Sequence, residues 1–240
     1  MPTWIVHPDS GGPFPLVIFY MDALGIREEL RGMCRRIASE GYGVYLPNLY
    51  YRAGGPSFDA ASLAWGQQDP AMVVLNDSLS LAMTVSDGAA MLAHAQRDAA
   101  ICLPAAAIGY CMGGRHALAA AAAYPEKVKA MASLHGGRLV TDGADSPHQR
   151  IAHIGAEAYF GWAQDDPVAP ASHAQAVEGA LVARGIPYRL EWHAGALHGF
   201  TFPERYCYHH QAAERVWLRL VDLFRRTLNG APSAPTKALS

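Results

Sequence analysis

At 240 residues and 25.8 kDa the chain has the length for one substantial core, and 51% hydrophobic against 17% charged residues excludes a disordered chain. Gly 23 and Pro 16 are too few for a collagen-like or low-complexity sequence. A formal net charge of −2 at pH 7 provides no positive field toward nucleic acid or an anionic membrane, which leaves a small-molecule partner as the expectation.

The opening Met1-Pro2-Thr3-Trp4 has no basic lead into a long apolar run, so no secretory signal is expected and the cytoplasm is the default compartment. Leu16 to Tyr20 is an unbroken apolar run, the pattern of a strand covered on both faces. Arg27 to Glu40 spaces Leu30, Met33, Cys34 and Ile37 at helical intervals and stops at Gly41. Val44 to Leu46 is a second buried strand. After it, Asn48 to Val73 reads as a long loop rich in Gly, Pro and aromatics, a candidate lid. Asn76 or Asp77 is placed to cap a helix running toward His94. Ala105 to Gly109 is the third clear strand, and the helix-forming run His116 to Ala123 follows it. Pro104, three glycines, Arg115 and His116 interrupt the apolar stretch Ile101 to Tyr124, which therefore reads as strand, turn and helix rather than a membrane span. Strands at Ala130 to Leu134, Ala158 to Trp162 and Tyr188 to Trp192 alternate with helices at Ala171 to Arg184 and Tyr208 to Leu228. This alternation predicts a single α/β domain over residues 1–228, with a mostly parallel sheet covered by helices on both faces, and a frayed tail over 229–240.

Cys34, Cys102, Cys111 and Cys207 form no CxxC pair and are expected as free thiols. Eleven histidines form no HExxH and no Cys/His cluster, so neither a metal nor another cofactor is expected. A monomer or weak homodimer is the expected assembly.

Gly109-Tyr110-Cys111-Met112-Gly113 has the G-x-S-x-G form of a nucleophile elbow with Cys for Ser, placed where a buried strand turns into a helix. Such a bend exposes the middle side chain, and the helix start behind it favours a thiolate and a developing oxyanion. A thiol nucleophile needs a base, and the base needs a group that fixes its tautomer. In hydrolase order these are an acid at Asp166, after the strand ending at Trp162, and His198, after the strand ending at Trp192. Both stand at C-terminal strand ends, where parallel sheets form sites. Asp165, His193, His135 and His116 are rivals, with readings as a turn carboxylate, a sheet-packing histidine, a strand-end histidine out of order and an inward helix residue.

The sequence resembles the dienelactone hydrolase (carboxymethylenebutenolidase) family, single-domain α/β-hydrolases. The resemblance runs through Ile5-Val6-His7-Pro8, Phe19-Tyr20-Met21-Asp22-Ala23, Pro47-Asn48-Leu49-Tyr50-Tyr51-Arg52, the Gly-Tyr-Cys-Met-Gly-Gly elbow, Asp166-Pro167-Val168-Ala169-Pro170 and His198-Gly199-Phe200. It implies a Cys111-Asp166-His198 triad, because the family aspartate stands four residues before the proline of its loop, here Pro170. It also implies an oxyanion hole from the backbone N–H of Ala23 together with that of Met112, and a thiol-modulating acid at Asp22. Two positions depart from the pattern: Asp22 stands where a glutamate is expected, and Phe202 where a substrate-gripping arginine is expected four residues after the histidine.

The function expected is hydrolysis of an ester or lactone through a thioester on Cys111. A thiol-dependent acyltransferase would use the same residues, and a non-catalytic or redox-responsive thiol protein would use Cys111 alone. Substrate contacts are expected from Tyr110, beside the nucleophile, and from Arg52, the one basic residue on the loop that carries Tyr50, Tyr51, Phe58 and Trp65.

Overall fold

Seven strands hydrogen-bond into one sheet in the order β1-β3-β2-β4-β5-β6-β7. The computed structural model describes residues 1–59 and 68–229; Trp65 and the tail beyond Asn229 lie outside the described residues. The strands are β1 (Thr3–Val6), β2 (Phe14–Tyr20), β3 (Gly43–Pro47), β4 (Ile101–Tyr110), β5 (Val128–Leu134), β6 (Glu157–Asp165) and β7 (Tyr188–Leu197). β1 runs antiparallel to β3, and every other neighbouring pair is parallel. Leu16 to Tyr20 of β2 and Ala105 to Ile108 of β4 are all buried, which is why these strands read as continuous apolar runs rather than alternating ones.

The helices are α1 (Glu28–Ala38), α2 (Pro70–Ser78), α3 (Leu81–Ala95), α4 (Met112–Ala123), α5 (Ala171–Arg184) and α6 (His210–Leu228). From β2 the chain steps outward to β3 through α1, then back across to β4 through α2 and α3. Right-handed crossovers in opposite directions put α1 on one face and α3 and α4 on the other. α6 joins α1, where Arg36 grips both carboxylate oxygens of Glu214 at 2.7 and 2.6 Å and lies 4.1 Å from the Trp217 ring centre. The direction of winding reverses between β2 and β4. The C-terminal ends of those two strands therefore open a crevice, the position at which such sheets place a site.

Three expectations change. The helix expected from Asn76 or Asp77 to His94 is two helices. Asp69 accepts the amides of Ala71 and Met72 ahead of Pro70, Ser80 accepts that of Met83, and Asn76 and Asp77 fall in the last turn of α2. An acceptor followed by proline is a stronger helix start than an isolated Asn-Asp pair. The long loop thus ends at Asp69, and a 3₁₀ turn at Tyr51–Ala53 also interrupts it. Edge strand β1 and a 3₁₀ segment at Pro147–His153 carried no clear sequence period. α4 begins at Met112 rather than His116, with the glycines of the elbow inside its first turn.

Candidate active site

β4 delivers Cys111 to the crevice with φ 52° and ψ −116°, a left-handed backbone that a side-chain-bearing residue adopts only when its surroundings enforce it. Here the Cys111 amide donates to the Leu134 carbonyl at 3.0 Å, and the Cys111 carbonyl accepts from Gly114 and Gly137, each at 3.1 Å. A methyl group on Gly109 would strike the Gly113 carbonyl, and one on Gly113 would strike the carbonyls of Tyr20 and Met21. The flanking glycines thus let the turn press against β2.

His198, in the turn following β7, lies with Nε2 3.0 Å from Cys111 Sγ and Nδ1 2.8 Å from Asp166 Oδ2. The other Asp166 oxygen accepts the amides of Val168 and Ala169 at 2.9 and 3.1 Å, and Trp162 anchors that loop by donating to the Ala169 carbonyl at 2.7 Å. Asp166 is buried and Asp165 exposed. The structure therefore brings Cys111, His198 and Asp166 into one hydrogen-bonded chain and leaves Asp165 outside it.

Burial by itself pushes the Cys111 thiol up, but the charge of His198 and its hydrogen bond outweigh burial, and the net shift is downward. Burial alone would lower His198; the Cys111 charge and the bond to Asp166 instead raise it well above its ordinary value. The direction for both partners is a thiolate facing an imidazolium. Cys34, Cys102 and Cys207 are all pushed up by burial.

The rival histidines have other partners. His135 is fully buried, contacts Thr201 Oγ1 at 2.8 Å, and sets its ring 5.2 Å from that of His198; burial holds it well below 6.5, hence neutral. His116 is bonded to Thr84 and His193 packs on Phe200.

A cavity of about 520 Å³ opens over Cys111 and His198, lined in part by Asp22, Ala23, Leu24 and Met112. The Tyr50 hydroxyl donates to the Ala23 carbonyl at 2.9 Å and lies 3.5 Å from Met112 Sδ, tying the loop after β2 to the start of α4. Asp22 is buried, with Arg27 Nη1 at 2.6 Å and Arg205 Nη1 at 3.8 Å. Among the described residues no hydrogen bond joins Asp22 to Cys111; its charge acts through space and opposes ionisation of the thiol. Among the described residues no group of three or more His, Cys, Asp or Glu side chains could hold a metal ion. No described helix is long and apolar enough to cross a membrane.

Neither of the two expected substrate contacts lines this cavity. Arg52 does not line this cavity: it pairs with both oxygens of Asp87 at 2.9 and 3.0 Å and stacks over Tyr51. Tyr110 points into the core, stacked on Phe19 at 4.8 Å, because successive residues of a strand face opposite ways. The cavity is instead lined by Arg115, Arg138, Arg205 and Tyr206, which the sequence reading missed. Arg115 alone had a signal, four residues after Cys111 on the helix.

The profile of the dienelactone hydrolase family matches residues 1–228. The chain belongs to the dienelactone hydrolase family. A protein of Synechocystis sp. provisionally named carboxymethylenebutenolidase is 28% identical over 94% of this chain and 91% of its own length. The carboxymethylenebutenolidase of Rhodococcus opacus is 26% identical over 95% and 87%. A crystal structure from Klebsiella pneumoniae, provisionally named a dienelactone hydrolase, superposes with a TM-score of 0.84 at 26% identity, covering 94% and 93% of the two chains. Within this family frame the fold is that of the α/β-hydrolases, as the sequence predicted.

Proposed function

We propose that the chain hydrolyses an ester or lactone of a small molecule by covalent catalysis, with Cys111 as nucleophile, His198 as acid and base, and Asp166 as the residue that orients His198. The observation that carries this reading is the chain of contacts from Sγ through the imidazole to the buried carboxylate, at 3.0 and 2.8 Å, at the floor of the cavity.

The thiolate attacks the carbonyl carbon, and the carbonyl electrons move to oxygen. The backbone N–H groups of Met112 and Ala23 receive that oxyanion; Met112 is the first residue of α4, so its amide has no partner within the helix, and Tyr50 fixes Ala23 beside it. His198 gives its proton to the departing alkoxide, leaving a thioester on Cys111. It then takes a proton from water, whose oxygen attacks the thioester and releases the acid and the thiolate.

Support for Cys111 over the other thiols is electrostatic: it alone of the four is shifted downward. Intact-mass measurement after mixing with a slowly turned-over activated ester, followed by peptide mapping, tests the reading. One acyl group on the Cys111 peptide, absent in Cys111→Ala, is expected. Turnover that persists in Cys111→Ala overturns it.

A further inference from the structure

Most arginines around the site already have acids. Asp22 serves Arg27 and Arg205, Asp87 serves Arg52, and Asp77 is ion-paired with Arg138. Arg115 is the exception. It is 7% exposed and lines the cavity beside Cys111, yet no carboxylate lies within ion-pair distance among the described residues. Residues 60–67 and 230–240 contain no Asp or Glu side chain that could supply one. The protein acceptors of Arg115 are neutral: Nη2 donates to the Asn76 carbonyl at 3.2 Å and to Asn76 Oδ1 at 2.6 Å. Burial, reinforced by the charge of Arg138, lowers its pKa to about 10.

Cys111 and Asp77 act on Arg115 only through space, so a buried guanidinium beside Arg138 with no carboxylate in contact is costly, and an anion that reached it from the cavity would offset that cost. The guanidinium presents five N–H donors in a rigid fork that matches a carboxylate, and Asn76 occupies only one of its nitrogens. Arg115 stands four residues after Cys111 on the same helix, about 6 Å of rise from the nucleophile. We infer that Arg115, oriented by Asn76, is the binding site for a carboxylate on the substrate, held about one helical turn from the ester or lactone carbonyl that Cys111 attacks. The inference rests on the hydrolase reading above. It places the anion on α4, away from the position after His198 where the family resemblance implied an arginine and where Phe202 is buried.

The test compares p-nitrophenyl hexanoate with mono-p-nitrophenyl adipate, whose terminal carboxylate lies on the order of 6 Å from the ester carbonyl when extended. In Arg115→Met the ratio of kcat/KM for the adipate ester over the hexanoate ester should fall at least tenfold. A fall below threefold overturns the inference. So does an equal loss on both esters with a displaced pH profile for Cys111 alkylation, which would assign Arg115 to the thiolate instead. Should Arg115→Met not fold, Arg115→Lys keeps the charge and loses the fork, and the same ratio is read against the same threefold limit. Calorimetric binding of adipate to the wild-type chain, weakened in the variant, separates the two readings. Adipate binding that depends on Arg115, with neither ester turned over, would sink the hydrolase reading and leave the anion site. Absence of adipate binding together with efficient turnover of the hexanoate ester would do the reverse.

Discussion

Replacing His198 with glutamine keeps a polar side chain of similar reach and removes the charge 3.0 Å from Cys111 Sγ. At an effective dielectric of about 20, two unit charges at that separation attract by about 5.5 kcal/mol, equivalent to about 4 pKa units. That figure is an upper bound, since the carboxylate of Asp166, 2.8 Å from the far side of the ring, offsets part of the imidazolium field. Half of it, about 2 units, is a conservative expectation. With His198 in place the thiol is shifted below its ordinary value; without it, burial acts unopposed by its main counterweight and moves the thiol upward. A rise of that size lowers the thiolate fraction, and with it the iodoacetamide rate at Cys111, by about a hundredfold at pH values below both titrations and by up to that factor at pH 7. The measurement is the alkylation rate at Cys111 across pH 5 to 10, followed by peptide mapping. In the wild type the rate should reach its plateau at lower pH than an ordinary thiol, and in His198→Gln the rise should move to higher pH. Superimposable profiles would show that the contact carries no ion pair and would refute the argument. The same pair of shifts sets the form of the turnover profile. In the proposed mechanism acylation needs the thiolate, lost as pH falls through the lowered cysteine value, and the imidazolium, lost as pH rises through the raised histidine value. The two limbs belong to the coupled pair rather than to either residue.

Asp166→Asn should cost about 10³ to 10⁴ in kcat while Asp165→Asn stays within about twofold, because only Asp166 contacts His198 Nδ1; the reverse ranking in folded variants would transfer the role to Asp165. Arg52→Ala should leave the adipate-to-hexanoate ratio unchanged and lower stability by about 1 kcal/mol, discounted for a side chain 39% exposed, or about 2 to 4 °C in melting temperature. A change in that ratio would return Arg52 to the substrate.

What was legible in the sequence was what local chemistry dictates. A strand covered on both faces must be apolar throughout, so β2 through β6 were visible as runs, while edge strand β7 showed as an alternation carrying Arg189 and Glu191; the elbow, Asp166 and His198 each follow the end of one of these strands. Their meeting at hydrogen-bond distance follows from the shared strand edge. The cavity wall was less legible because its residues are fixed by partners distant in sequence. Arg52 looked like a free loop cation because Asp87, which holds it, belongs to α3. Asn76 looked like a cap, and only with α2 started at Asp69-Pro70 does it fall in the last turn of that helix and meet Arg115. Arg138 and Arg205 sit in turns where no period marks which way a side chain faces.

The two departures from the family pattern are connected in space. Phe202, buried where an arginine was expected, has two guanidinium groups near its ring, with Arg27 Cζ 5.1 Å and Arg205 Cζ 5.7 Å from the ring centre. Those same two arginines hold the carboxylate of Asp22. An aromatic face attracts cations, so Phe202 helps to station both charges near Asp22, whose Oδ1 takes Arg27 Nη1 at 2.6 Å while its buried Oδ2 has no hydrogen-bond partner among the described residues. The sulfur is left to His198. At Cys111 the charges of Asp22 and Arg205 act in opposite directions, which makes the imidazole the decisive neighbour. The thiolate and imidazolium in this arrangement are in direct contact at 3.0 Å, with no carboxylate hydrogen-bonded to the sulfur among the described residues. With Arg27 and Arg205 both ion-paired to Asp22, the buried cation lining the cavity without a carboxylate in contact, among the described residues, is Arg115, four residues after Cys111.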